Sequence, residues 1–113
     1  MGDDPANGVR MRQGEPAMVT VTVLYPRTDD VQFDMDYYKE KHFGLLRDRL
    51  GSNLKKDEIH EVLDGPYVAY CQMYFDSMEG FQGPMAQHGA EIMGDVANYT
   101  NVQPVLLVSK TDD

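Results

Sequence analysis

The sequence predicts a single α+β domain, with four antiparallel strands and two helices on one face of the sheet. Three features predict it: β-branched runs near both ends, an aromatic-rich run in the middle, and two stretches with helical periodicity. Their order is β-α-β-β-α-β, which is the ferredoxin-like plan. We therefore predict one such domain over residues 18–110, preceded by a disordered tail at residues 1–17.

Composition limits the classes of function. The chain has 113 residues and a net charge of -9, from 10 basic and 19 acidic residues. Nucleic-acid binding needs clustered cations, so no nucleic-acid partner is expected. The single cysteine, Cys71, cannot form an internal disulfide, and no stretch approaches the ~20 apolar residues of a membrane span. Because the N terminus also lacks a secretory signal pattern, we predict a cytoplasmic protein with no membrane partner.

The first strand and the first helix carry start and stop signals. Met18–Tyr25 is alternating and β-branched, as expected for a strand. The helix is predicted over Asp34–Leu50, with Asp34 as its N-cap and Gly51 as the left-handed residue that ends it. Gly44 inside this helix costs about 1 kcal/mol relative to Ala. It is therefore expected to mark a bend or a close approach of another backbone.

The second half of the chain predicts two strands, a helix and a last strand. Ile59–Leu63 is a short strand, and Tyr67–Phe75 is a strand with two apolar or aromatic faces. The second helix is expected to take Asp76 as its N-cap and to break near Pro84. The last strand is predicted over Thr100–Ser109.

Uncovered strand faces predict a homodimer. Two helices cover only one face of the sheet, whereas the first, third and last strands carry apolar side chains on both faces. Soluble monomers rarely expose an apolar surface of that size. Two sheets packed face to face would cover it, giving a barrel-like dimer. Pro104 within the last strand indicates an edge or bulged position for that strand.

Two histidines are candidates for chemistry. His42 falls in the middle of the apolar stripe of the first helix, and His88 lies on the apolar face of the second. Both helices pack on the same sheet face in the predicted fold, so the two imidazoles are expected to line one cavity. Tyr38 shares the face of His42 and can donate a hydrogen bond to a ligand oxygen. The predicted catalytic residues are His42, His88 and Tyr38.

Apolar and aromatic residues are predicted to bind the ligand. They are Tyr25, Leu46, Tyr70, Tyr74, Phe81 and Met85. No histidine and cysteine spacing matches a zinc site, and Gly80–Gly83 lacks the strand-to-helix setting of a nucleotide loop. We therefore predict a small apolar organic ligand and no metal or cofactor.

Two segments resemble one protein family. The pattern F-D-x-D-Y-Y-x-x-x-H at Phe33–His42 and the run D-V-A-N-Y-T at Asp95–Thr100 are similar to the EthD-like family, named for ethyl tert-butyl ether degradation. The resemblance covers residues 18–109. It implies the dimeric α/β-barrel superfamily and a pocket between sheet and helices with His42 at its mouth. The family often has proline two residues after this histidine, where this chain has Gly44.

The resemblance leaves several functions open. The superfamily includes cofactor-free monooxygenases, polyketide cyclases, muconolactone isomerases, dehalogenases and some haem proteins. The first hypothesis is an enzyme that uses His42 as an acid or base on a compound with carbonyl or phenol groups, by cyclisation, isomerisation, elimination or cofactor-free oxidation. The alternative is a ligand-binding or accessory protein that supports a partner oxygenase. A third hypothesis is haem binding through His42 or His88.

Overall fold

The computed structural model describes residues 18–111, so the tail predicted at residues 1–17 lies outside this range. Its strands are β1 (Met18–Pro26), β2 (Lys56–Glu61), β3 (Tyr67–Phe75) and β4 (Val105–Thr111), and its helices are α1 (Met35–Tyr37), α2 (Phe43–Leu50) and α3 (Met78–Gly94). A π-helical turn at Tyr38–His42 joins α1 to α2, and 3-10 turns follow at Gly51–Asn53 and Val96–Asn98. The predicted β-α-β-β-α-β order is confirmed. No helix within the described range has the length and apolar character to cross a membrane.

The four strands form one antiparallel sheet in the order β2-β3-β1-β4. Val21 of β1 lies opposite Met73 of β3 and Val108 of β4. Residues directly opposite each other share a face of the sheet. Val21 and Met73 are buried, so this face packs under the helices and forms the core.

Three strands differ from their predicted bounds, β1 only by the addition of Pro26, which pairs with Tyr67 after a register shift. β2 begins and ends earlier than Ile59–Leu63, because backbone pairing with β3 runs from Lys56 to Glu61. β4 begins later than the predicted Thr100, which makes only an isolated bridge with Phe33. Pro104 lacks a backbone N–H and cannot extend the ladder, so the strand starts after it. β4 is an edge strand, as predicted.

The first helix contains an irregularity that its pattern did not predict. Asp34 is the N-cap, as predicted, and its carboxylate accepts a hydrogen bond from the Tyr37 backbone N–H at 3.0 Å. The π turn is defined by the Phe43 N–H, which donates to the Tyr38 carbonyl five residues back. Gly51 ends the helix with a φ of +58°, as predicted. The close backbone approach expected at Gly44 is absent, because no neighbouring atom lies within 4 Å of a Cβ built there.

The second helix corrects two predictions. Its N-cap is Ser77, whose hydroxyl accepts from the Gly80 N–H at 3.1 Å; Asp76 instead pairs with Lys55 at the surface. The predicted break near Pro84 does not occur, and α3 continues through it. The steric clash that normally keeps the residue before proline out of the helical region involves that residue's Cβ. Residue 83 is glycine, so the clash is relieved.

Candidate active site

A cavity of about 110 Å³ lies between the helices and the inner face of the sheet. The residues around it are mostly apolar and come from α2, α3, the π-helical turn, the segment after α3 and every strand except β2: Val23, Tyr25, Tyr38, His42, Phe43, Leu46, Leu50, Cys71, Met73, Phe81, Met85, Ile92, Met93, Val96, Pro104 and Leu106. Met93 and Leu106 are 53% and 54% exposed and form its rim. An apolar cavity of about 150 Å³ can hold benzene. This cavity therefore suits a ligand of about one small ring.

The π turn places His42 against this cavity. The imidazole is only 3% exposed and stacks on the Tyr38 ring, with 5.8 Å between ring centroids and 16° between planes. Both side chains lie on the inward face of this short segment, and π turns occur frequently at functional sites.

A carboxylate fixes the orientation of the imidazole. His42 Nδ1 lies 3.0 Å from Asp95 Oδ2. Asp95 precedes the 3-10 turn after α3, so the pair joins the π turn of the first helix to the end of α3. This segment is held beside the first helix by the Asp34 backbone N–H, which donates to the Tyr99 carbonyl at 2.8 Å. The Phe33–Thr100 bridge reinforces that contact.

Asp95 is in turn held by two further side chains. Its Oδ1 accepts hydrogen bonds from the Tyr37 hydroxyl at 2.7 Å and from Asn98 Nδ2 at 2.9 Å. Burial acts to raise the pKa of Asp95, but its hydrogen-bond donors outweigh burial and hold that pKa below its usual value. The carboxylate is therefore ionised at neutral pH and accepts from the His42 ring.

The imidazole is neutral at neutral pH. Burial lowers the pKa of His42 below its usual value of 6.5, and this effect exceeds the opposing influence of the Asp95 carboxylate. With Nδ1–H donating to Asp95, the neutral ring leaves Nε2 as an acceptor. Among the described residues no group hydrogen-bonds Nε2. The arrangement is that of a general base with an oriented ring.

Three tyrosine hydroxyls lie behind the histidine. The Tyr25 and Tyr99 hydroxyls are 2.6 Å apart and hydrogen-bonded to each other. Tyr38 is fully buried, and its hydroxyl has no hydrogen-bond partner among the described residues. Burial raises the pKa of Tyr25 to about 12 and also raises those of Tyr38 and Tyr99. All three keep their protons at neutral pH.

The structure brings together six of the nine residues predicted for the site. The residues at the cavity are His42, Tyr38, Tyr25, Leu46, Phe81 and Met85. His88 does not line it, so the predicted convergence of two imidazoles is not found in the part of the chain that the structure describes. A role for His88 stays a prediction.

Tyr70 and Tyr74 point away from the cavity. They alternate along β3 with the buried Cys71 and Met73 and therefore lie on the outer face of the sheet. Tyr70 stacks there on His60 at 4.5 Å between ring centroids. The Tyr74 hydroxyl donates to Gln72 Oε1 at 3.2 Å.

Sequence reasoning assigned no role to Asp95, Tyr37 or Tyr99. Asp95 has no periodic signal, and its separation of 53 positions from His42 leaves no local indication of contact. The segment Asp95–Thr100 nevertheless stood out as one half of the family resemblance. A family motif that follows a helix and shows neither helical nor strand periodicity is therefore a signal for site residues such as Asp95.

Comparison with known proteins places the chain in a family. No protein-family model and no curated protein sequence matches it. Among solved structures, an EthD-like protein from Ralstonia eutropha JMP134 is 40% identical, with a TM-score of 0.79 over 83% of this chain and 91% of that one.

Two more distant structures share the fold alone. SnoaB, a cofactor-independent oxygenase from Streptomyces nogalater, is 8% identical, with a TM-score of 0.57 over 86% of this chain and 96% of its own. A dimeric protein of unknown function with a ferredoxin-like fold, from Bacteroides fragilis NCTC 9343, is 12% identical, with a TM-score of 0.54 over 86% and 99%. Since the Ralstonia protein is similar over nearly all of its length, the chain belongs to the EthD-like family.

Proposed function

We propose that this protein is an acid–base enzyme that removes a proton from a small apolar compound bearing a carbonyl or phenol group. One observation carries the proposal: a neutral, buried imidazole lines an apolar cavity and is bonded through Nδ1 to Asp95 at 3.0 Å. A base oriented by a second group is a recurring arrangement in enzymes that move protons.

The chemistry begins with proton transfer to His42 Nε2. The bond between the acidic hydrogen and its carbon or oxygen breaks, and its electron pair stays on the substrate as an enolate or phenolate. The imidazolium that forms is stabilised by the Asp95 carboxylate, with which it now makes an ion pair. General base catalysis of this kind contributes about 10²–10⁴ in rate.

Several outcomes follow from the same anion. Return of the proton to a different carbon gives isomerisation, loss of a leaving group gives elimination, and attack within the molecule gives cyclisation. Reaction of the anion with molecular oxygen gives oxidation without a cofactor. The fold accommodates that last reaction in SnoaB, which shares the fold and is a cofactor-independent oxygenase.

Deuterium exchange tests the proposal without knowledge of the natural substrate. The protein is incubated in D₂O with small ketones, 1,3-dicarbonyl compounds and phenols, and loss of the exchangeable C–H signal is followed by proton NMR. Oxygen uptake is recorded in parallel. We expect catalysed exchange with at least one class and a loss of about 10²-fold or more in His42→Gln.

His60→Gln is the matched control, because His60 lies on the outer face of the sheet against Tyr70. It should retain the wild-type exchange rate. Equal exchange by the wild type and His42→Gln would contradict the proposal. Ligand binding without exchange or oxygen uptake would favour the alternative, a ligand-binding or accessory protein.

We further propose that the protein is a homodimer. Val105, Leu106, Leu107 and Val108 of the edge strand β4 are each at least 42% exposed. Four consecutive exposed apolar residues on an edge strand are a surface that soluble proteins normally cover. A structure with the same fold, from Bacteroides fragilis, is described as dimeric.

A further inference from the structure

The Tyr38 hydroxyl is an unused hydrogen-bond donor inside the protein. Its residue is 0% exposed, and it is the one buried side-chain oxygen or nitrogen without a partner among residues 18–111. Leaving a buried hydroxyl unpaired is costly, so the great majority of such groups are paired in folded proteins. Unpaired exceptions often mark a place where a ligand or water supplies the partner.

The neighbouring tyrosines hold a second unused donor. The Tyr25 and Tyr99 hydroxyls carry two protons but share one hydrogen bond, so one proton of the pair is not used between them. The Tyr38 ring lies 5.4 Å from the Tyr25 ring and 5.1 Å from the Tyr99 ring, measured between centroids. The three tyrosine rings therefore pack as one group, in which the Tyr38 proton and one proton of the Tyr25–Tyr99 pair make no hydrogen bond within the described residues.

The surroundings offer these donors no good acceptor. Cys71 also lines the cavity, but a thiol is a weak acceptor and forms no hydrogen bond of acceptable geometry with Tyr38. The His42 ring is stacked on Tyr38, and its Nδ1 is already bonded to Asp95. The remaining side chains that line the cavity contain no oxygen or nitrogen, and the sulfur of its methionines is only a weak acceptor. An acceptor must come from a molecule that enters the cavity.

We propose that Tyr38 and Tyr25, the latter paired through its hydroxyl with Tyr99, bind an oxygen atom of the ligand, so that substrates are apolar ketones, aldehydes or phenols held by that oxygen beside His42. The inference rests on the proposed function and extends it by naming how the substrate is recognised. Negative charge develops on this oxygen when His42 removes the neighbouring proton, and fixed donors in an apolar site stabilise that charge. Because burial raises their pKa values, the tyrosines remain protonated and can act only as donors to it.

Binding of two matched compounds tests the proposal. Cyclopentanone and methylenecyclopentane have nearly the same size and shape, but only the ketone has an oxygen acceptor. Their dissociation constants are measured by NMR titration of isotope-labelled wild-type protein and of Tyr38→Phe. We expect the ketone to bind about fivefold more weakly to the variant, as for loss of one neutral hydrogen bond, and the hydrocarbon to bind equally to both proteins.

A change in the infrared spectrum of the bound ketone should accompany the change in its affinity. The carbonyl stretch of ¹³C-labelled cyclopentanone should fall in frequency on binding to the wild type, because hydrogen bonds weaken the C=O bond. It should move back toward its value in an apolar solvent in Tyr38→Phe. Tyr25→Phe, which removes the hydroxyl of the pair that belongs to a cavity-lining residue, is the second variant and should shift both readouts in the same direction.

Tyr74→Phe is the control, since Tyr74 lies on the outer face of the sheet and should leave both readouts unchanged. The proposal is overturned if neither compound binds the wild type, if Tyr38→Phe weakens both equally, or if the bound carbonyl stretch is the same in every protein. Deuterium exchange separates the two proposals: ketone recognition by the tyrosines without exchange refutes only the acid–base function, and exchange without such recognition refutes only this inference.

Discussion

At the scale of single residues, the site depends on opposing effects at His42. Burial lowers the pKa of the imidazole, and the Asp95 carboxylate counteracts this without reversing it. The result is a ring that is neutral and oriented at the same time. A free base of this kind has its lone pair on Nε2, where a proton can be received.

The first prediction concerns pH and stability. The unfolded chain binds a proton at its histidines near pH 6.5, whereas folded His42 resists protonation. Stability should therefore fall as pH decreases from about 6.5 toward the lower folded-state pKa, by at most about 1.4 kcal/mol per pH unit. Urea unfolding of the wild type and His42→Gln across this range measures the effect. A wild-type curve that falls no more steeply than that of His42→Gln would contradict the predicted direction of the shift.

The second prediction concerns Tyr38. Removing its unpaired hydroxyl in Tyr38→Phe should raise the free energy of unfolding of the ligand-free protein by about 1 kcal/mol. Tyr74→Phe is the comparison, since the Tyr74 hydroxyl already donates to Gln72, and it should show no such gain. A clear loss of stability in Tyr38→Phe would mean that its hydroxyl is satisfied in solution. A gain would show that the unpaired hydroxyl costs stability in the ligand-free protein.

His42 was predictable from sequence and Asp95 was not. The apolar stripe of the helix directs His42 inward, and that period can be read locally. The His42–Asp95 contact depends on the backbone hydrogen bond from Asp34 to Tyr99. This bond forms only when the start of the first helix and the segment after α3 meet in the folded domain. His88 does not line the cavity, although Met85 and Ile92 on either side of it along α3 do; at about 100° per residue it lies at the edge of the face that they share.

At the scale of elements, local chemistry explains what was predicted and what was not. Asp34 and Gly51 mark the ends of the first helix by side-chain capping and positive φ, both local effects. The π turn has no local sequence signal, because a period of 3.6 also brings Tyr38 and His42 to one face. Ser77 replaced Asp76 as the cap of α3, a shift of one residue between two good capping residues.

The third prediction concerns Gly44. Its helical position is exposed, and a Cβ built there meets no atom within 4 Å. Gly44→Ala should therefore raise the free energy of unfolding by about 0.5–1 kcal/mol, because alanine loses less backbone entropy in a helix. Gly51→Ala should destabilise the protein, since Gly51 has a φ of +58°. If Gly44→Ala destabilised the protein as well, Gly44 would have a packing role that the structure does not show.

At the scale of the whole molecule, the order of strands and helices along the chain determines the order of the strands in the sheet. The strand order in turn determines which strand is left exposed at the edge. β4 is an edge strand that is exposed on both faces: Leu107 shares the outer face with Thr22, and Leu106 shares the inner face with Val23. The predicted apolar outer face is only partly apolar, because Thr22 and Gln72 lie at its centre. Alternation along one strand predicts which of its side chains share a face of the sheet. Whether that face is apolar depends also on the residues of the neighbouring strands.

The fourth prediction concerns the dimer. A lysine at Leu107 would place an unpaired charge in the proposed interface, so Leu107→Lys should convert a dimer to a monomer. Leu63→Lys is the matched control, since Leu63 is 92% exposed in the β2–β3 connection. Light scattering during size-exclusion chromatography measures both masses. A wild type that is monomeric at all concentrations, or a Leu107→Lys variant that stays dimeric, would contradict the proposal.

The central claim is that His42 is a neutral base whose ring is oriented by Asp95. Long-range ¹H–¹⁵N NMR of the imidazole, followed through a pH titration, tests it most directly. We expect His42 to be the Nδ1–H tautomer at pH 7, to have a pKa below 6.5, and to lose its tautomer preference in Asp95→Asn. An Nε2–H tautomer, or a His42 pKa above 6.5, would contradict it.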